Sequence, residues 1–137
     1  MSTIFTKIIN REIPAEILYE TDHVLAMLDI RPIHFGHALV IPKLHCNDFL
    51  AVPGESFHDL MRVSQLIARA VVRTYGLEGF NVFSNNGRIA GQSVFHFHMH
   101  VVPRYPGDAI RFAPMLKSYT GQTMAEHGER IRGNIQP

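Results

Sequence analysis

The stretch Phe95–Val102 constrains this chain most, because imidazole and apolar side chains alternate along it. Successive side chains of a strand point to opposite faces of the sheet. A strand here puts His96, His98 and His100 on one face. The other face then carries side chains suited to a hydrophobic core, namely Phe95, Phe97, Met99 and Val101. The alternation therefore predicts a half-buried strand that presents three imidazoles together.

Three roles are open to these histidines: ordinary residues of a polar sheet face, metal ligands, or catalytic groups. One ion bound by all three is disfavoured. At about 3.3 Å per residue the outer two lie roughly 13 Å apart, whereas zinc–nitrogen bonds measure about 2 Å. Two neighbours can share an ion, but no Asp or Glu between Glu78 and Asp108 offers a further ligand nearby.

Nucleophilic catalysis is the role that the surrounding residues favour. Imidazole can attack an electrophilic phosphorus and form a covalent intermediate. With a reference pKa of about 6.5, most of a free imidazole is neutral at neutral pH. The loop Asn85–Ser93 before the triad is polar and contains glycines, and main-chain N–H groups of such a loop suit an anion.

The rest of the chain indicates an α+β domain with an antiparallel sheet, since strands outnumber helices and do not alternate with them. Helices are predicted at Ile4–Ile9, Glu55–Tyr75 and Thr123–Gly133, with Gly76 as a C-terminal cap. Further strands are predicted at Glu16–Glu20, Val24–Leu28, His37–Ile41 and Phe80–Phe83. All 137 residues are expected to form one domain, with a core over residues 3–104 and an extension over 105–137.

Composition excludes several classes of protein. A formal charge of +1 disfavours nucleic-acid binding through a basic surface. The single cysteine, Cys46, excludes an intrachain disulfide and a cysteine-rich zinc module. No apolar run approaches the roughly 20 residues that span a bilayer, and no signal peptide is visible at the start of the chain. A cytoplasmic protein without a membrane partner is therefore expected.

The triad resembles the signature of the histidine triad (HIT) superfamily, which is His-φ-His-φ-His-φ-φ with φ apolar. It stands complete as His96-Phe97-His98-Met99-His100-Val101-Val102. The resemblance extends over most of residues 3–104, and within the superfamily it is strongest to the histidine triad nucleotide-binding proteins, which are purine nucleotide phosphoramidases. It implies a HIT-like antiparallel sheet of about five strands with two main helices, and a homodimer whose sheets join.

The resemblance also implies a mechanism at the α-phosphate of a purine nucleoside 5′-phosphoramidate. His98 would be the nucleophile that forms a nucleotidyl-histidine, which water then hydrolyses. His100 would contact the phosphate and, with Ser93, help to protonate the leaving group, while His96 and His37 would support the site. The implied nucleotide-binding residues are Asp29 for the ribose hydroxyls, Ile4, Phe5, Ile8, Leu28 and Ile30 for the purine, and Asn85 with the main chain of Gly91, Gln92 and Ser93 along the phosphates.

Three alternatives to a phosphoramidase remain. One is a dinucleoside polyphosphate hydrolase with the same nucleophile, another is a nucleotide-binding regulator without turnover, and the third is a metalloprotein. No cofactor is expected. Some relatives bind a structural zinc through two cysteines of the opening segment and two histidines. Here Thr3 and Thr6 take the cysteine positions while His45 and His96 remain, and hydroxyls are poor zinc ligands, so no metal is predicted.

Overall fold

The computed structural model describes residues 2–137 and contains one five-stranded antiparallel sheet. The helices are α1 (Ile4–Ile9), α2 (Gly54–Tyr75) and α3 (Thr123–Gly133), and short 3₁₀ helices lie at Phe49–Ala51 and Arg88–Ala90. The strands are β1 (Ile17–Glu20), β2 (Val24–Leu28), β3 (Ala38–Pro42), β4 (Gly79–Phe83) and β5 (Met99–Arg104). They are ordered β1-β2-β3-β5-β4 across the sheet. The predicted α+β class, with five strands and two main helices, is confirmed.

Helix α1 lies against one face of the sheet. It begins in a capping box, in which the Thr3 hydroxyl accepts the N–H of Thr6 and the Thr6 hydroxyl accepts the N–H of Thr3. Helix α1 buries Phe5 and Ile8. They pack against alternate residues of the two central strands, namely Leu25, Met27, Leu39 and Ile41. This α1 core fixes the helix beside the middle of the sheet.

Helix α2 covers the opposite face. It buries a stripe that includes Leu60, Ile67 and Val71. The helix ends at Tyr75 and is followed by the predicted cap Gly76, which has the left-handed conformation typical of such caps. The same core takes in Val24, Ala26, Ala38 and Val40 from the strands and Phe97, Met99 and Val101 from the triad segment. The two faces of the sheet thus carry separate cores, and the triad segment contributes to the α2 core.

The strand that carries the triad begins later than predicted, at Met99 rather than Phe95, and it ends at Arg104 rather than Val102. The reason is that residues 95–98 bond outside the sheet ladder. The Phe97 N–H donates to the carbonyl of Cys46 at 2.7 Å, and the His45 ring donates to the carbonyl of Phe95 at 2.9 Å. Alternation of the side chains nevertheless persists through these residues.

The chain beyond β5 is anchored at its start and exposed at its end. The Arg104 guanidinium donates to both carboxylate oxygens of Asp108, at 2.8 and 3.1 Å. None of the residues of α3 is buried. The extension therefore forms an arm with exposed apolar side chains.

Within residues 2–137, none of the helices combines the length and the apolar character needed to cross a membrane.

Candidate active site

The three triad histidines share one face of the sheet, as the alternation predicted, and the structure shows that this is the α1 side. The His98 ring meets Phe5 edge-on with 5.1 Å between ring centroids, and it lies 4.8 Å from the ring of His100. His96 is fully buried, with its ring 5.8 Å from that of Phe5. Phe95 differs from the prediction, since it is only partly buried and carries the Arg88 guanidinium 5.3 Å from its ring centroid.

Main-chain carbonyls determine which nitrogen of two triad histidines carries the proton. His98 Nδ1 lies 2.8 Å from the carbonyl oxygen of His96. A carbonyl only accepts, so Nδ1 donates, and in the neutral ring Nε2 keeps its lone pair. By the same argument His96 donates from Nε2 to the carbonyl of Pro42 at 2.7 Å. His98 Nε2 is therefore the triad nitrogen with the properties of a nucleophile.

A second pair of imidazoles adjoins His98. His37 Nε2 lies 2.9 Å from His100 Nδ1 and 3.7 Å from Asp29 Oδ2. The His100 ring stacks on Phe83, with 4.7 Å between centroids. Within residues 2–137, His100 Nε2 is a buried atom without a hydrogen-bond partner. Such an atom costs about 1–3 kcal/mol of stability, and a bound ligand that hydrogen-bonds to it would recover that cost.

An apolar cavity of about 620 Å³ opens between α1 and the ends of the central strands, and Phe5 in its lining contacts the His98 ring. It is lined by every residue expected to hold the nucleoside, namely Ile4, Phe5, Ile8, Leu28, Asp29 and Ile30. Ile13, Pro14, Ala15, Glu16, Met27 and Leu39 also line it and were missed. Strand alternation could have identified Met27 and Leu39, which face each other in the β2–β3 register.

The loop before the triad is held by the side chain of Gln92. This amide accepts the N–H of Gly87 at 2.8 Å and donates to the carbonyls of Asn47 and Val94, at 2.6 and 3.1 Å. Only the main chain of Gln92 is therefore left for a phosphate. Gly91 and Ser93 are exposed and Asn85 is partly buried. No hydrogen bond joins the side chains of Asn85 or Ser93 to the triad in the part of the chain that the structure describes.

Burial lowers the pKa of all four clustered histidines, which are His37, His96, His98 and His100. The pKa of His100 falls to about 3, through burial first and then through the neighbouring rings of His98 and His37. The negative charge of Asp29 raises the pKa of His37 and His98, but by less than burial lowers it. At neutral pH the cluster therefore consists of neutral imidazoles, in which each ring has one donor and one acceptor nitrogen.

One trio of side chains has the composition of a metal site. An Asp29 oxygen and one nitrogen each of His37 and His100 lie within 4.8 Å of one another, so Asp29 supplies the carboxylate that the triad segment lacks. The hydrogen bond from His37 Nε2 to His100 Nδ1, at 2.9 Å, uses a nitrogen of each ring. A metal bound through those nitrogens would have to displace this hydrogen bond and its proton.

The residues left from the zinc pattern of some relatives bond to oxygen atoms. His96 Nδ1 lies 3.4 Å from the Thr3 hydroxyl, which is itself 3.3 Å from the Thr6 hydroxyl. The Nε2 atoms of His96 and His45 face carbonyl oxygens. These contacts join the first turn of α1 to the triad without a thiolate ligand.

Comparisons with known proteins agree with this geometry. Residues 10–107 match the family described as HIT domain. The chain is 44% identical over 138 residues to an adenosine 5′-monophosphoramidase of Schizosaccharomyces pombe, covering 99% of this chain and 100% of that protein. It is 38% identical to an adenylylsulfatase of Arabidopsis thaliana, covering 85% of this chain and 59% of that protein. A crystal structure of a HIT family member from Bacillus subtilis superposes with a TM-score of 0.91 at 36% identity, covering 100% of this chain and 99% of that one.

Proposed function

Because this chain belongs to the HIT domain family, we propose that it hydrolyses nucleoside 5′-phosphoramidates at the α-phosphate, with His98 as the nucleophile. The observation that carries the proposal is the His98 ring itself. Its Nδ1 donates to a main-chain carbonyl at 2.8 Å, which leaves the lone pair on Nε2, and the ring contacts Phe5, a residue that lines a cavity of nucleoside size. A relative named as an adenosine 5′-monophosphoramidase supports the same reaction class.

The reaction takes two displacements at phosphorus. In the first, His98 Nε2 bonds to the α-phosphorus, and the P–N electron pair leaves with the amine, which takes up a proton. In the second, water attacks the phosphorus, the P–Nε2 bond breaks, and the proton of water is released as neutral His98 is regenerated. His100 would contact the phosphate and, with Ser93, help to protonate the leaving amine. His96 and His37 would hold the rings of His98 and His100 in place.

The nucleoside would occupy the cavity beside α1. Its apolar wall suits a purine ring, and Asp29 lies where this wall meets His37. A carboxylate can accept two hydrogen bonds from the ribose hydroxyls. One Asp29 oxygen already accepts the N–H of Arg31 at 2.9 Å, which orients the side chain before the nucleotide binds. Asn85 and the main chain of Gly91, Gln92 and Ser93 would line the phosphates.

Asp29→Ala is expected to weaken AMP binding by about 1–3 kcal/mol, because a hydrogen bond to a charged acceptor is lost. Calorimetric titration of the variant measures the loss, and Asp22→Ala, at an exposed turn residue, is the matched control. A nucleotide without the 2′ and 3′ hydroxyls should bind wild type and variant equally. An equal loss for both nucleotides would contradict the ribose assignment.

The leaving group has a second candidate, since a relative of this chain is named as an adenylylsulfatase. Sulfate would then depart from the same α-phosphorus, and the attack by His98 would be unchanged. A dinucleoside polyphosphate would place a longer phosphate chain on the leaving side. A nucleotide-binding regulator would use the same cavity without forming the covalent intermediate.

The test is hydrolysis of adenosine 5′-phosphoramidate by the full chain in buffer with a chelator, followed as release of AMP. Release that persists with the chelator is expected, because the proposed route uses no metal. Adenylyl sulfate and a dinucleoside polyphosphate, assayed in parallel, rank the leaving groups. No release from any of the three would leave the regulator as the better proposal, whereas release that the chelator stops would require a metal.

We further propose that the protein acts as a homodimer in the cytoplasm, without nucleic acid or membrane as a partner. Strand β4 is an edge of the sheet, and an uncovered edge can pair with a second copy. The arm after β5 exposes Met124, Ile131 and Ile135, each about two-thirds accessible. Together these features support a contact between copies that covers the edge and the arm.

A further inference from the structure

The loop between Asp29 and His37 makes a main-chain contact with the active site. The N–H of Asp29 donates to the carbonyl of His37 at 2.9 Å, so the loop is closed at its base. Inside it, the main-chain N–H of Ile33 donates to His37 Nδ1 at 3.0 Å. The Ile33 side chain is 44% exposed. The residue therefore meets the site through its backbone and not through its side chain.

This contact determines the tautomer of His37. A main-chain N–H can only donate, so the Nδ1 atom that faces it must lack a proton. The single proton of neutral His37 is then on Nε2. From there it has two possible acceptors, His100 Nδ1 at 2.9 Å and Asp29 Oδ2 at 3.7 Å. Only the first distance is that of a hydrogen bond, so His37 donates to His100.

The same argument determines the tautomer of His100. Because its Nδ1 accepts from His37, the proton of the neutral His100 ring is on Nε2, which is the buried nitrogen without a partner. His98 has the opposite arrangement, with its proton on Nδ1 and its lone pair on Nε2. Two rings whose centroids are 4.8 Å apart thus present different chemistry, a lone pair from His98 and an N–H from His100.

We propose that the main-chain N–H of Ile33 is a positioning group for catalysis, because through His37 it holds His100 as an Nε2–H donor beside the His98 lone pair. This role rests on the proposed function, in which His98 attacks phosphorus and His100 meets the phosphate oxygens or the leaving group. An accepting nitrogen on His100 would repel those oxygens, whereas an N–H stabilises the charge that develops on them.

The segment after the triad strand holds the loop in place. The Tyr105 hydroxyl donates to the carbonyl of Phe35 at 2.9 Å, and the ring of Tyr105 lies 4.1 Å from that of His34. The N–H of Tyr105 in turn donates to Asp108 at 2.9 Å. The position of the Ile33 N–H is therefore fixed by contacts on both sides of it in the loop, at Asp29 and at Phe35.

The first test needs no variant. Long-range ¹H–¹⁵N correlation spectra of the imidazoles report directly which nitrogen carries the proton. In the full chain at about pH 7.5, where neutral rings are expected, His37 and His100 should both be Nε2–H and His98 should be Nδ1–H. A His100 ring protonated on Nδ1 would overturn the proposal. The spectrum does not depend on turnover, so its outcome is separate from that of the proposed function.

The second test removes the N–H alone. Cys46 is the only cysteine, so the chain can be joined at the His45–Cys46 bond from a synthetic segment 1–45 and an expressed segment 46–137. An ester in place of the amide at Ile33 substitutes an acceptor for the donor and therefore favours the opposite tautomer of His37. The ligated all-amide chain is the reference, and Ile33→Ala, which keeps the N–H, is the matched control.

The ester chain is expected to lose at least about tenfold in kcat with little change in KM, since a wrong histidine tautomer costs far more in a serine protease. Its His100 proton should move towards Nδ1 in the ¹⁵N spectrum. Ile33→Ala should keep both the kcat and the tautomer of the reference. A kcat within twofold of the reference, or a His100 that remains Nε2–H in the ester chain, would contradict the proposal.

Discussion

His98→Gly is expected to lower the rate of AMP release from adenosine 5′-phosphoramidate by about a thousandfold or more, which is the scale on which loss of a nucleophile acts. The reason is geometric. Among the three triad histidines, His98 has its proton held on Nδ1 by a main-chain carbonyl and its lone pair on Nε2, and its ring contacts Phe5, which lines the cavity. Neither His96, whose Nε2 donates to Pro42, nor His100, whose proton is held on Nε2, can replace it.

Two further measurements separate loss of the nucleophile from loss of the fold. AMP should still bind His98→Gly, because the cavity is lined by residues of α1 and of the central strands. Mass spectrometry of the rapidly quenched wild type should detect a nucleotidyl adduct that is absent from the variant. His58→Ala, at an exposed position of α2, is the control. Turnover by His98→Gly at the wild-type rate would rule out the covalent route.

Acidification is expected to destabilise the fold at pH values well above those at which carboxylates titrate. His37, His96, His98 and His100 all have a pKa lowered by burial in the folded state. The unfolded chain therefore binds more protons than the folded one at any pH between the two pKa values. Stability is complete above the unfolded value of about 6.5. Below it, each such histidine lowers the free energy of unfolding by at most about 1.4 kcal/mol per pH unit, until its own folded pKa is reached.

Urea unfolding at several pH values between about 7.5 and 5 measures this loss. For His100, whose folded pKa is about 3, the decline should begin near pH 6.5 and continue to the acid end of that range. His100→Asn should therefore lose less stability on acidification than the wild type, and His58→Ala serves again as the control at an exposed histidine. A free energy of unfolding that stays constant from about pH 7.5 to 5 would contradict the burial of neutral rings.

Local patterns predicted most elements accurately. Helix α1, strand β2 and helix α3 have the predicted bounds, and α2 differs by one residue at its start. Each of these has a short-range signal, either apolar periodicity or a terminal glycine. The start of the triad strand has none, because residues 95–98 are held by the Cys46 carbonyl and the His45 ring. Those partners lie about fifty residues away along the chain.

The features of the candidate site can likewise be divided into those that the local sequence predicted and those that depend on distant contacts. Alternation alone predicted that His96, His98 and His100 share a face, and the resemblance supplied the cavity residues. The Ile33 contact was beyond prediction, since the group involved is a main-chain N–H that every residue except proline possesses. Gln92 was expected to meet the phosphates through its main chain; that its side-chain amide holds Gly87 and Asn47 was not predicted. The partners of that amide depend on loop geometry, which one sequence does not reveal.

The alternation along the triad segment separates the residues proposed for the reaction from those that pack in the core. In the proposed function His96, His98 and His100 carry the chemistry, while Phe97, Met99 and Val101 belong to the core beneath α2. Under that proposal, substitutions at the three histidines alter the reaction, and those at the three apolar positions alter the packing beneath α2. A descendant of this chain could lose or exchange its reaction through a few even-numbered replacements and still inherit the same architecture. Members of such a lineage would keep a common shape while their substrates diverge.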